Sequence, residues 1–354
     1  MKNEALNSTI VPTCVGNGLV ALDVIIGFEG NNQAQFLAGG SCGNVMTILS
    51  YLGWNSYPIA RLSNNVAGDL LFQDLQKWNV KDDLLQITET GSTPVIIHRI
   101  LKDKKGDPKH RFEFRNPEDG KYLPSYKPCL AKSVPTIIET VPHSNVFYFD
   151  RINRASIDLA KAYKATGTTI FFEPSSVKDQ KGFQQSLELA DVLKFAQDRI
   201  PEYDLLYPVA SVPLEIQTLG SLGLKYRKKG EKSWTKLAGY SIENVIDSAG
   251  AGDWLTSGII MNLFKNKGSN LSELSTDKIE FALHFGQALS AMNCTFEGAR
   301  GLMYEVPRQE LILMISHIVS SSKHIINLGN RVKTFSHNDL GVRKISSLFA
   351  TAHR

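Results

Sequence analysis

The sequence predicts an α/β protein whose mainly parallel central sheet is covered by helices on both faces, and three observations carry that expectation. From Asn145 onward, short continuous apolar runs alternate with stretches of helical spacing, as in chained β-α-β units. Two helical stretches stop at glycines, Gly53 and Gly167, where a left-handed residue closes a helix. Hydrophobic residues fill 42% of the 354 positions, with 27 Gly and 14 Pro scattered along the chain. That suffices for a large core and excludes a disordered tail, a collagen or a coiled coil.

Taken in order, Thr13 to Leu19 reads as the first strand, with Gly16-Asn17-Gly18 as a tight turn, and Val20-Ala21-Leu22-Asp23 leads to a second strand, Val24 to Phe28. Asn31 to Gln35 reads as a polar turn before Gly39 and Gly40, then Val45 to Leu52 as a helix, Ile59 to Leu62 as a strand and Gly68 to Trp78 as a helix. Residues 93–115 read as a hairpin, Thr93 to Ile100 and Arg111 to Arg115 around the basic turn Lys102 to Lys109. With 24–28 it makes a small sheet outside the main one. The main alternation runs Val146 to Phe149 strand, Ala155 to Thr166 helix, Thr168 to Phe172 strand, Phe183 to Leu189 helix, Val192 to Phe195 strand and Leu214 to Leu219 strand. Gly223 to Arg227 and Trp234 to Leu237 follow as antiparallel edge strands. Three helices close the pattern: Gly252 to Phe264, Asp277 to Cys294, and Pro307 to Ile318, with Pro307 in the favoured first turn. Asn330 to Arg354 has no clear period. Ligands of such a sheet are expected beyond the carboxyl ends of its strands.

The net charge of +4 comes from interspersed residues of both signs, so no arm for nucleic acid is expected, while an anionic substrate is compatible. Cys14, Cys42, Cys129 and Cys294 lie far apart without C-x-x-C spacing, which reads as reduced, buried thiols. The charged start Met1-Lys2-Asn3-Glu4 lacks a signal-peptide core, and no apolar run reaches the ~18 residues of a bilayer span. A cytoplasmic protein without a membrane partner is the expectation.

The stretch Asp247-Ser248-Ala249-Gly250-Ala251-Gly252-Asp253 sets small residues before a helical pattern. Several N–H groups then converge where the helix dipole is positive, which makes an anion hole. Asp253 either caps the helix or accepts a proton from a hydroxyl attacking a bound phosphate. A helix N-terminus is expected to keep it ionised and weakly basic. Neither G-x-x-x-x-G-K-[ST] nor H-R-D with D-F-G occurs.

This stretch, together with Gly39-Gly40-Ser41-Cys42-Gly43-Asn44, resembles the two signatures of the ribokinase/PfkB-type carbohydrate kinases. Leu52-Gly53 through Gly68-Asp69, Phe147 to Arg151, Glu173-Pro174 and Thr218-Leu219-Gly220 with Gly223 extend the resemblance over 12–307. It implies a ribokinase-like three-layer α/β/α domain with a small β-sheet lid, formed by about 22–36 and 93–115, and a C-terminal helix and tail at 308–354. It implies an ATP-dependent phosphotransferase acting on a hydroxyl of a sugar or sugar-like molecule, with Asp253 as catalytic base and Gly250, Ala251 and Gly252 as anion hole. Asp23, Gly39, Gly40 and Asn44 take the sugar-binding positions, and Thr218, Gly220, Gly223 and Gln287 the nucleotide side. Mg²⁺ is implied, a monovalent cation is a further candidate, and pairing of lids suggests a homodimer. Two in-fold alternatives stay open, a nucleoside kinase with Phe28, Phe36 and Tyr51 lining a base pocket, and a catalytically silent ligand sensor. The chain departs from the pattern at Ala196-Gln197-Asp198-Arg199, where relatives carry the metal-linked Asn-x-x-Glu, and at Asn65, where they carry Asp.

Overall fold

The structure is a computed structural model and describes residues 11–26, 34–102, 108–266, 268, 271–321, 325–326 and 345–352. Phe28, the polar residues 31–33, the hairpin turn 103–107, the start Met1 to Glu4 and most of the tail after 321 lie outside the described residues. The strands are β1 (Thr13–Asn17), β2 (Ala21–Ile26), β3 (Ala34–Gly39), β4 (Asn55–Leu62), β5 (Leu85–Ile87), β6 (Val95–Lys102), β7 (Pro108–Glu113), β8 (Val146–Phe149), β9 (Thr169–Phe172), β10 (Val192–Ala196), β11 (Leu214–Thr218), β12 (Leu224–Lys228), β13 (Thr235–Leu237), β14 (Ser241–Ile242) and β15 (Ile325–Ile326). The helices are α1 (Ser41–Tyr51), α2 (Val66–Lys77), α3 (Val134–Thr140), α4 (Arg154–Ala165), α5 (Gln180–Leu189), α6 (Tyr203–Leu206), α7 (Ala251–Leu263), α8 (Thr276–Asn293), α9 (Gly301–Glu305) and α10 (Arg308–Ser320).

Nine strands form the central sheet in the order β13-β12-β11-β10-β9-β8-β1-β4-β5. Neighbours from β11 to β5 run parallel, and β12 and β13 return antiparallel, as the sequence predicted. The connections run outward in both directions from β1, so the crevice beyond its carboxyl end is the topological switch point where ligands bind. Strand residues alternate between two cores. Cys14, Tyr148, Phe171 and Val192 face α1, α7 and α8, whereas Val15, Phe147, Phe149, Phe172 and Leu193 face α3, α4 and α5. Helix starts are locally encoded: Asn153 and Ser156 form a capping box on α4, and Ser275 accepts from Lys278 N–H on α8.

The small sheet has the order β3-β2-β6-β7 and corrects two sequence readings. Leu22 and Asp23 belong to a strand rather than to a connector, and Ala34–Gly39 is a strand whose first two residues were expected in the polar turn Asn31 to Gln35. That segment is short and runs into Gly39-Gly40, which hid its alternation. Leu22 and Val24 join the core with Leu70 and Leu71 of α2, while Asp23 and Ile25 look the other way. Gly16-Asn17-Gly18 is not a tight turn. Gly16 ends at the α1 side chains of Cys42 and Met46, which a Cβ would meet at 2.9 and 2.7 Å, so glycine here lets α1 approach the sheet. Pro307 is the N-cap of α10, one position before the first turn. Among the described residues, no helix is long and apolar enough to cross a membrane.

Candidate active site

Two helix N-termini meet beyond β1. Gly40, at φ +77°, caps α1, and Gly250, in the left-handed region at φ +73°, caps α7. A side chain at Gly250 would run into the Ala299 carbonyl, which also accepts from the Trp254 indole at 3.1 Å. The loop before α7 is held by its own side chains. Asp247 accepts from Ala249 N–H at 2.6 Å and from Gly298 N–H at 2.9 Å, and Asn293 donates to the Ala249 carbonyl at 3.1 Å. Ala251 N–H donates to the Ser248 carbonyl at 3.3 Å, and Gly252 and Asp253 open α7 with N–H groups that precede the helical ladder.

Asp253 receives a hydrogen bond from Asn44 Nδ2 at 2.8 Å, a contact between residues 209 positions apart. Asn44, expected to bind sugar, thus also seats the expected base, and its Oδ1 is buried without a partner among the described residues. The surroundings of Asp253 work against the ionised form that a helix N-terminus favours. Burial pushes its carboxyl well above the usual range, nearby Glu173 and Asp150 add to that, and Asn44 and Lys194 only partly oppose it. Desolvation of the carboxyl and the neighbouring carboxylates thus work against the helix dipole, which favours the ionised form.

Asp23 is likewise pushed up, to about 7, by burial, against the pull of Arg300 and a hydrogen bond from Gly40. Gly39 lies so close to Asp23 that any Cβ would strike its carboxylate, so the pair shares one spot. Arg300 is 1% exposed and clamps the neighbouring strand, donating to the Ala38 carbonyl and, at 2.5 Å, to Asp74. Asp74 also accepts from Ala38 N–H and Tyr304 Oη, both at 2.9 Å. Arg300 directly follows Ala299, so one short loop braces both the α7 cap and the strand that ends in Gly39-Gly40.

The nucleotide-side candidates lie at the end of β11, in the turn before β12 and on α8. Thr218 ends β11 and its carbonyl accepts from Gln197 N–H at 3.0 Å, while Gly220 and Gly223 hold φ of +63° and +98°. Gln287 of α8 is buried, and its Nε2 has no partner among the described residues. Gln197, Asp198 and Arg199 form an exposed turn. Asn65 caps α2 by accepting from Gly68 N–H at 2.9 Å and pairs with Thr351, which is an architectural duty. Phe36 packs in the main core and Tyr51 sits edge-on to Trp78 and Trp254, which are packing duties.

Five site residues had no role assigned from the sequence: Asp74, Asp150, Glu173, Lys194 and Arg300. Asp150 accepts from Leu19 N–H at 2.9 Å and from Arg151 at 2.8 Å. Lys194 is an ion-paired neighbour of Glu173. A lysine inside the apolar run Val192 to Phe195 was the visible signal. The residues do not build a protein-held site for the implied divalent cation. Among the described residues, no three His, Cys, Asp or Glu side chains are grouped to hold a metal. Both oxygens of Glu173 and of Asp150 already accept from protein donors.

Arabidopsis thaliana ribokinase, complexed with ribose and ATP, matches this structure with a TM-score of 0.62 over 86% of this chain and 98% of that one, at 18% identity. The fold is ribokinase-like. An uncharacterized sugar kinase from Pyrococcus horikoshii matches this ribokinase-like chain at TM-score 0.64 and 20% identity, covering 87% of this chain and 100% of that one. A Burkholderia thailandensis nucleoside kinase in complex with inosine matches at TM-score 0.60 and 16% identity, covering 86% and 96%. No family model and no curated protein matches the sequence.

Proposed function

We propose that this ribokinase-like chain is an ATP-dependent phosphotransferase of the carbohydrate-kinase type, acting on a hydroxyl of a sugar or sugar-like small molecule. The observation that carries this reading is Asp253 in the first turn of α7, seated by Asn44 across the crevice. A carboxylate there is within the anion hole yet has a raised proton affinity, which suits a base that must take a hydroxyl proton. Phosphoryl transfer has a loose transition state, so alignment and charge stabilisation do most of the work. The backbone of Gly250, Ala251 and Gly252 is assigned to the transferred group, with the N–H groups of Gly250 and Gly252 as its donors, and oriented amides stabilise its charge without reorganising.

Asp23 accepts from substrate hydroxyls, Asn44 both donates and accepts, and Gly39-Gly40 brings backbone close to the substrate. Thr218, Gly220, Gly223 and Gln287 take the nucleotide. The small sheet closes over the crevice as a lid that excludes water, so the sugar rather than water receives the phosphoryl group. Phe112 and Phe114 on its outer strand and beyond are more than half exposed and offer the surface for pairing with a second copy.

A coupled ADP-release assay with ATP against free sugars, sugar acids, phosphosugars and nucleosides tests this reading. Turnover on one class, falling about 10³-fold in Asp253→Asn with nucleotide affinity retained, is the expected result. Turnover on nucleosides alone transfers the reading to the nucleoside-kinase alternative. Nucleotide binding with no turnover on any compound overturns it in favour of a ligand sensor.

A further inference from the structure

Beneath the first turn of α7 lies a charge pair that the proposed chemistry has not used. Lys194 projects from β10 toward α7 because its pleat parity is that of Val192, not of Leu193 and Phe195. It is 2% exposed and ion-paired with Glu173, which follows β9. Removing an ammonium from water costs several kcal/mol unless it is paired and hydrogen-bonded, so a lone structural purpose would be better served by an apolar residue.

The pair is tied to the helix that carries Asp253. Glu173 accepts from Thr256 Oγ1 of α7 at 2.6 Å and from Tyr148 Oη at 3.4 Å. A Cβ on Gly252 would sit 3.6 Å from Lys194 Nζ and 3.8 Å from Glu173 Oε1, which places both charges against the residue next to Asp253. Around Asp253 stand Asn44 and Cys42 from α1, Tyr148 from β8, Asp150 after it, Glu173 after β9 and Lys194 from β10. Arg151 is engaged by Asp150 at 2.8 Å. Three carboxylates therefore crowd one crevice, and Lys194 is the cation that acts on Asp253.

We propose that Lys194 and Glu173 are positioning residues for Asp253, a buried pair that seats the first turn of α7 and whose lysine counterbalances the carboxylates around that base. The proposal rests on the reading of Asp253 as the base.

The test reads Asp253 directly. In protein labelled at aspartate ¹³Cγ, the Asp253 resonance is assigned by its absence in Asp253→Asn and titrated in the intact chain. Lys194→Met is expected to raise its midpoint by about one pH unit, a tenfold change in proton affinity, and Glu173→Gln to lower it by a similar amount. Lys194→Arg should stay near wild type. The double variant Lys194→Met with Glu173→Gln removes both charges, so a stable fold is retained if either single variant is too unstable, and its midpoint should fall between theirs. Unmoved midpoints in folded variants overturn the proposal and leave the pair architectural. Moved midpoints together with an inactive wild type uphold this inference while rejecting the kinase reading, and the acidic limb of kcat, where turnover exists, should shift in the same directions.

Discussion

Two buried ion pairs sit on neighbouring strands of the same sheet and differ in what lies beyond them. Glu215 of β11 and Arg227 of β12 face one another across an antiparallel register, both at most 1% exposed. Every polar atom there is spent. Glu215 accepts from Ser211 and Val212 N–H at 2.8 and 3.2 Å, and Arg227 donates to Glu215 at 2.7 and 2.8 Å and to the Tyr207 carbonyl at 2.7 Å. Its guanidinium also lies over Trp234. The Lys194–Glu173 pair instead shares its field with Asp253 and Asp150, carboxylates that burial and mutual repulsion hold above their usual range. A closed pair serves architecture. An open one, in a crevice with surplus acid, is where chemistry can be tuned.

The largest effect that separates the two regions should come from the closed pair. Arg227→Met leaves Glu215 buried without its cation, which is expected to cost about 3–5 kcal/mol in urea unfolding while the Asp253 titration stays where it was. A movement of that titration would break the distinction. Next in size, Gly250→Ala forces a left-handed backbone and a collision with the Ala299 carbonyl; about 1–3 kcal/mol of destabilisation is expected, accompanied, on the proposed function, by loss of turnover because the proposed anion hole shifts.

A third prediction uses pH. Asp23 has a folded value of about 7 against roughly 3.9 in an unfolded chain. The folded state then holds the proton more tightly, so this group's stabilisation is complete below about pH 4 and is lost as pH rises through 7. Asp23→Asn should accordingly raise Tm at pH 8 and leave it nearly unchanged at pH 4. A gain of equal size at both would show that Asp23 is not held in its protonated form. The smallest effect belongs to a third pair, Arg154–Asp158 on the surface of α4, whose arginine is 77% exposed. Arg154→Ala should change stability by less than about 0.5 kcal/mol, the reference against which the buried pairs are read.

Much of the fold was legible because its signals are local. The apolar runs at 146–149, 169–172 and 192–195 could only be buried parallel strands, and small residues ahead of Asp253 announced a helix N-terminus. Ala34–Gly39 was missed because a short strand hydrogen-bonded on one side needs little pattern of its own. Its pairing with β2, Leu22 against Ala38 and Asp23 against Leu37, supplies the order that composition does not.

By itself the sequence determined the alternation of strands and helices, the antiparallel edge, and the chemical type of the Gly-Ala-Gly-Asp loop, all of which depend on residues within one or two turns of each other. Only the tertiary structure decided that Asn44 reaches Asp253, that Arg300 grips the strand before Gly39-Gly40, and that Lys194 lies under Gly252. The reason is physical. Strand order places β1, β8, β9 and β10 side by side, pleat parity chooses which face each side chain takes, and desolvation then sets the charge each group prefers, none of which a local pattern encodes.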